Sequence, residues 1–272
     1  MGCCEVSRQQ QNDIESQVWA FEQNLNFSSL NARDIDRLAH RFSTDSIISK
    51  TQFPTIIKEL KIDTNSLAYN YIETLYDNRN HGYSAVLLTT LGIIFGFGTE
   101  ETKLSLLFSN YDTTNCFILK TYQVQKLAED VIFISFKSIV TFAAIKISPE
   151  FLPELIEYKE KLLSVQSIMA KYFTSIIMGE QIEITNEDFL DAFKKPELKC
   201  FLIPHQMRVY SKDVLKIVTR TANVVDIMMN EDVDFDKNLK RKLSLKISRE
   251  FKKNEEKSRR HTAPEAMRRV KV

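Results

Sequence analysis

The sequence predicts an all-α protein: two lobes of paired helix–loop–helix units, followed by a basic C-terminal helix. Three observations predict it. Apolar residues recur at helical spacing, as in Ile35, Leu38 and Phe42. Six glycines and six prolines in 272 residues are too few for a turn-rich β fold. Similar segments also return at a fixed interval. The apolar residue that closes each loop is Ile48, then Tyr83, then Ile118, 35 residues apart both times.

The elements follow in order. Residues 1–16 form a polar, flexible N-terminus. From Val18 to Leu25 an apolar periodicity begins, with Trp19, Phe21 and Leu25 as candidate buried positions. Asn31 is placed to cap a helix over Asp34 to Phe42. The next helix puts Phe53, Ile56, Ile57 and Leu60 on one face, with Pro54 tolerated in its first turn. Leu67, Tyr71, Ile72 and Leu75 share a side of the helix that leads into the Asp77–Tyr83 loop. A very apolar helix, Ser84 to Phe95, ends at a hinge over Gly96–Gly98. The pattern then repeats: helix, Tyr111-Asp112, a polar loop, Phe117-Ile118, and a helix from Lys120 onward. A fourth unit closes at Ile184 and starts its helix with a Thr185 cap. It lies 66 residues after Ile118, which implies an insertion of about thirty residues between Val131 and Leu163. The predicted domains are 1–16, a lobe over 17–97, a lobe over 98–230 with its insertion near 131–163, and a basic segment over 231–272.

The formal charge of +1 is unevenly placed. Lys237 to Val272 carries fourteen Lys/Arg against four Glu, leaving 23 basic and 32 acidic residues in 1–236. An acidic body with a basic tail points to an anionic partner for the tail. The four cysteines have no metal or disulfide spacing, which favours a reducing compartment. Leu87 to Phe97 is the most apolar window and falls short of the ~20 residues of a membrane span. No signal-peptide core is present at the N-terminus. His40, His81, His205 and His261 are scattered, and Gly96-Phe97-Gly98 lacks the third glycine of a phosphate loop, so no catalytic residues are predicted.

Met1-Gly2-Cys3-Cys4 looks like the start of dually acylated proteins, with myristate on Gly2 and palmitate on Cys3 and Cys4. Val6 stands where the usual pattern has Ser or Thr, with Ser7 next. Two acyl chains anchor stably where one binds only marginally. In the tail, Phe235, Leu239, Leu243, Ile247 and Phe251 recur every four residues. Between them stand basic residues that include Lys240, Arg241, Lys242, Lys246, Arg249, Lys252 and Lys253. This basic amphipathic helix suits an anionic membrane surface or a partner. Its alternatives are the groove of its own C-terminal lobe, an RNA contact without stacking platforms, and a free solvated tail. No nucleic-acid partner is expected. Ser244 and Thr262 follow basic residues and are candidate phosphorylation sites, where added charge would oppose membrane attraction.

The repeat, the stretch Gly98-Thr99-Glu100-Glu101-Thr102-Lys103-Leu104, the Phe108/Tyr111-Asp112 helix end, and Thr185–Phe189 followed by Lys195-Pro196-Glu197-Leu198 together resemble the EF-hand superfamily. Within it, the neuronal calcium sensor and calcineurin-B-like proteins are nearest, over about residues 30–205. The resemblance implies four calcium loops, each with oxygen ligands at positions 1, 3, 5, 7, 9 and a bidentate Glu at 12. In the second loop Asp77 serves position 1 and Gly82 position 6, but Arg79 and His81 take 3 and 5, and position 12 is Leu88, or Leu87 in a shorter loop. The third has Asp112 first, Thr114 third and Tyr122 at the end, with one residue deleted. The first runs from Arg41 to Gln52, and the fourth has Ile177, Gly179 and Gln181 at 1, 3 and 5, with Asp188 at 12. Asp77, Asp112 and Asp188 are therefore vestigial ligands, and no metal or other cofactor is expected. The expected function is a non-enzymatic EF-hand-like adaptor on the cytoplasmic face of a membrane, binding a helical segment of a partner protein. The alternative is a calcium sensor with weak or atypical sites.

Overall fold

The computed structural model describes residues 13–147 and 149–215. Gly2, Cys3, Cys4, the basic residues Lys240, Arg241, Lys242, Lys246, Arg249, Lys252 and Lys253, and Ser244 and Thr262 lie outside the described residues. The chain divides into two compact units, 1–212 and 213–272, so both helix–loop–helix pairs fall in the first.

The described residues are mainly helical. In chain order the helices are α1 (Ile14–Asn24), α2 (Ala32–Arg41), α3 (Phe53–Glu59), α4 (Leu67–Glu73), α5 (Ala85–Phe95), α6 (Glu100–Tyr111) and α7 (Thr121–Ile132). A π-helical stretch, Phe133–Ser138, joins α7 to α8 (Ile139–Lys146). Then follow α9 (Leu152–Met178), α10 (Asn186–Ala192) and α11 (204–215). Four three-residue strands lie in the loops: β1 (Ile47–Ser49), β2 (Gly82–Ser84), β3 (Ile118–Lys120) and β4 (Glu183–Thr185).

Local chemistry accounts for the helix starts. Asn31 Oδ1 accepts the Arg33 amide at 2.9 Å, and Ser66, Ser84, Thr99 and Thr185 cap α4, α5, α6 and α10 in the same manner. Pro54 stands in the first turn of α3. The most apolar helix, α5, is the central one and packs against α2, α6 and α7. It buries Leu88, Leu91, Ile93 and Ile94, each worth about 1.5–3 kcal/mol of transfer free energy. A Cβ on Gly92 would stand 2.7 Å from the Ile35 side chain, so glycine sets how closely α5 approaches α2.

The strands pair into two antiparallel ribbons. In the first, Ile48 stands opposite Tyr83; in the second, Leu119 stands opposite Ile184. The closing residue of the third unit is therefore Leu119, which is fully buried, and not Ile118, which is exposed. The expected hinge at Gly96–Gly98 is instead a staple. The Phe97 amide donates to Leu30 O at 2.7 Å, and the Ala32 amide donates to Phe97 O at 2.9 Å. The segment between Val131 and Leu163 is helical: α7 runs on through the π stretch into α8, and α9 extends over 27 residues. This extra length receives the first helix, since α1 packs on α8 and α9. Val18, Phe21 and Leu25 are buried there, but Trp19 is 46% exposed and stacks on His205 at 4.8 Å between centroids.

Candidate loop sites and the buried charge cluster

Ser46, His81 and Phe117 stand two residues before the paired residues Ile48, Tyr83 and Leu119. All three have left-handed backbones, with φ of 62°, 52° and 57°. That conformation costs a non-glycine residue about 1 kcal/mol. The sharp turn of the second loop is thus at His81 rather than Gly82. Gly82 belongs to β2, where a Cβ would meet Ile48 O at 2.6 Å.

Measured against a twelve-residue calcium loop, with the paired residue eighth, Asp112 is first, Phe117 sixth and Gln123 twelfth. The third loop has its full length, and the deletion and the Tyr122 terminus are corrected. Asp112 is 5% exposed, and its carboxylate serves its own loop. Oδ1 accepts the Thr114 hydroxyl and the Cys116 amide, both at 3.2 Å, and Oδ2 accepts the Phe117 amide at 2.6 Å. Asp77 accepts the Arg79 amide at 2.8 Å and the Asn80 side-chain amide at 2.7 Å. The Asp188 carboxylate accepts the Thr185 hydroxyl at 2.8 Å while its amide donates back to that oxygen. Ile177, read as a loop position in the fourth unit, is buried in α9.

The twelfth positions hold Gln52, Leu87, Gln123 and Asp188. Gln52 Oε1 accepts the Ser49 amide at 3.0 Å, and Gln123 Oε1 accepts the Lys120 amide at 2.9 Å. Gln123 Nε2 also donates to Tyr111 O at 2.7 Å, closing the two ends of the loop on each other. These side chains clasp helix starts to strands. Among the described residues no three His, Cys, Asp or Glu side chains converge as a metal site.

A second constellation escaped the sequence reading. Arg208, on α11, is fully buried. Its Nε donates to both carboxylate oxygens of Glu15 at 3.0 Å, one amino group donates to Glu22 Oε2 at 2.8 Å, and the other to Ser135 O at 3.1 Å. His205 Nδ1 lies 2.7 Å from Glu15 Oε1, and the Tyr158 hydroxyl donates to Glu15 Oε2. The cluster joins α1, the π stretch, α9 and α11. Burial opposes the charge on Arg208, yet Glu15 and Glu22 together hold its pKa above its ordinary value. Burial raises the Glu22 carboxyl despite Arg208, and burial followed by the Glu15 charge raises the Tyr158 hydroxyl. With Arg208 and Glu15 closed to solvent, the cluster serves to fix helices. One signal pointed to it: Glu15 and Glu22 fall on the same helical stripe as Val18 and Leu25.

A polar chain crosses between the two halves. His40 meets Asp36 at 3.3 Å and Asn110 at 3.2 Å; Asn110 donates to Thr90, Thr90 meets Tyr111, and Tyr111 donates to Asp130 at 2.9 Å. The hydrogen bond to Asp36 raises the His40 pKa.

Two surfaces remain open around the fourth unit. A cleft between α9 and α10 is lined by Ile177, Met178, Ile184 and Ala192, with Asp188, Asp191 and Lys195 at its rim. The second ribbon exposes Phe117 (74%), Ile182 (81%), Tyr122 (67%) and Ile118 (36%). No protein-family model, no curated protein and no solved structure matches this chain.

Proposed function

We propose that the chain is a non-enzymatic EF-hand-like adaptor, held on the cytoplasmic face of a membrane by acyl groups on Gly2, Cys3 and Cys4, that binds a helical segment of a partner protein without calcium. The use of Asp112 carries the reading. Its carboxylate accepts two amides and a hydroxyl of its own loop, and its closing partner is Gln123, a neutral side chain engaged at both ends. A calcium ion needs six to eight oxygens, including a bidentate carboxylate at the twelfth position. The cleft between α9 and α10, whose lining combines Ile177, Met178, Ile184 and Ala192 with charges of both signs, suits a partner helix that has an apolar anchor.

Calorimetric titration of the full chain with calcium tests the loops. The expected result is no binding at micromolar concentrations. Micromolar binding sinks the reading and favours an atypical calcium sensor, which the full length of the third loop supports. Metabolic labelling with myristate and palmitate analogues tests the anchor. Label is expected on the wild type and absent from the combined Gly2→Ala, Cys3→Ser, Cys4→Ser variant; an unlabelled wild type ends the anchoring claim.

A further inference from the structure

We propose that the outer face of the β3–β4 ribbon is a lipid-contacting surface that lies in the headgroup region of a zwitterionic membrane. The inference rests on the membrane part of the proposed function but not on acylation.

Four large apolar side chains are exposed along this ribbon. Phe117 and Ile118 enter β3, and Tyr122 follows it. Ile182 is tied next to Tyr122, because the Thr121 amide and hydroxyl both donate to Ile182 O, at 3.2 and 3.0 Å, while Phe117 and Ile118 lie at the other end of the ribbon, beyond the Lys120–Glu183 pair. Phe117 shows a conflict between stability and exposure. It is 74% exposed and holds a φ of 57°, a conformation that Gly or Asn adopts at far lower cost. Neither folding nor solubility accounts for a phenylalanine there, and strain of this kind marks sites where the side chain is used.

The donors next to the exposed side chains are satisfied within the protein. Asp112 satisfies the Cys116 and Phe117 amides, Gln123 satisfies the Lys120 amide, and Ile182 O satisfies Thr121. With these amides paired internally, this part of the loop carries fewer unmatched donors out of water. Lys120 and Glu183 pair across the ribbon at 3.8 Å, and Glu180 and Glu187 are exposed on either side of β4, so the face carries no excess of cations. Without excess cations the face suits a zwitterionic surface rather than an anionic one. Tyrosine is a residue type that settles at the membrane–water boundary, and phenylalanine and isoleucine supply the apolar area that enters it. A second copy of the chain fits less well. The four side chains expose on the order of 500 Å², against the ~800 Å² per partner of a stable protein interface.

The test uses the full chain expressed without acylation, cosedimented with phosphatidylcholine vesicles. The wild type is expected to bind, and Phe117→Asn with Ile182→Asn to bind about tenfold more weakly or less. The melting temperature of that variant should be unchanged or higher, because asparagine accepts the left-handed backbone. Three results overturn the assignment: no binding by the unacylated wild type, equal binding by wild type and variant, or a concentration-dependent dimer that the variant abolishes. Labelling of Gly2 is read separately, so a failed ribbon and a failed anchor are distinguishable.

Discussion

In the first ribbon the outward positions are Ile47, Ser49, Gly82 and Ser84, all half-buried or buried; in the second, the corresponding positions are Ile118, Lys120, Glu183 and Thr185, all exposed. On the inward side of the first, Phe53 stacks on Tyr83 at 4.0 Å and Tyr76 stands edge-on to Tyr83 at 5.2 Å. The second stands clear, while the helices of its half are extended and tied to α1 through Arg208. Two loops of one plan thus differ in how far they are covered. Both clasp helix starts to strands through a glutamine, but the outward side of one is covered and that of the other is open to solvent.

The largest test of this contrast is Arg208→Ala. It leaves Glu15 and Glu22 buried without their cation and should cost about 3–5 kcal/mol in denaturant unfolding. Replacing Arg208, Glu15 and Glu22 together by apolar residues should recover most of that loss. If Arg208→Ala costs under about 1 kcal/mol, the extended half is held by apolar packing alone. Next in size is the matched pair Gly82→Ala and Glu183→Ala. Gly82→Ala drives a Cβ to 2.6 Å from Ile48 O and should cost about 1–3 kcal/mol. Glu183→Ala breaks only an exposed pair and should stay within about 0.5 kcal/mol. Equal costs would erase the difference between the ribbons.

The smallest effect concerns the polar chain between the halves. Asp36 raises the His40 pKa, so the favourable contribution is fully present below the ordinary value of 6.5 and is lost as pH rises through the raised folded value. His40→Gln should therefore lower stability by about 0.5 kcal/mol at acidic pH and by less as pH climbs above 6.5, the pair being half-exposed and screened. A gap between wild type and variant that does not change with pH would assign His40 to packing with Asn110 instead.

Much of the helical plan was legible because it is local. Asn31 and Thr185 are caps that act within three residues, and the apolar stripe of α2 follows the helical period. The register of the third unit was not. Asn115 and Phe117 both turn left-handed without a glycine to signal it, so counting from apolar residues placed the closure one residue early. Trp19 was misplaced because a large apolar side chain on a helix does not reveal whether a partner covers it; here His205, far along the chain, takes one face.

The sequence by itself determined the helical class and caps such as Asn31 and Thr185, since composition and propensity act over a few residues. Tertiary structure alone decided that Glu15, Glu22, Ser135, Tyr158 and Arg208 meet, that Asp112 faces its own loop amides, and that one ribbon is covered while its counterpart is exposed. A buried charge is held only by partners brought within hydrogen-bond distance, and the folding of distant segments sets those distances.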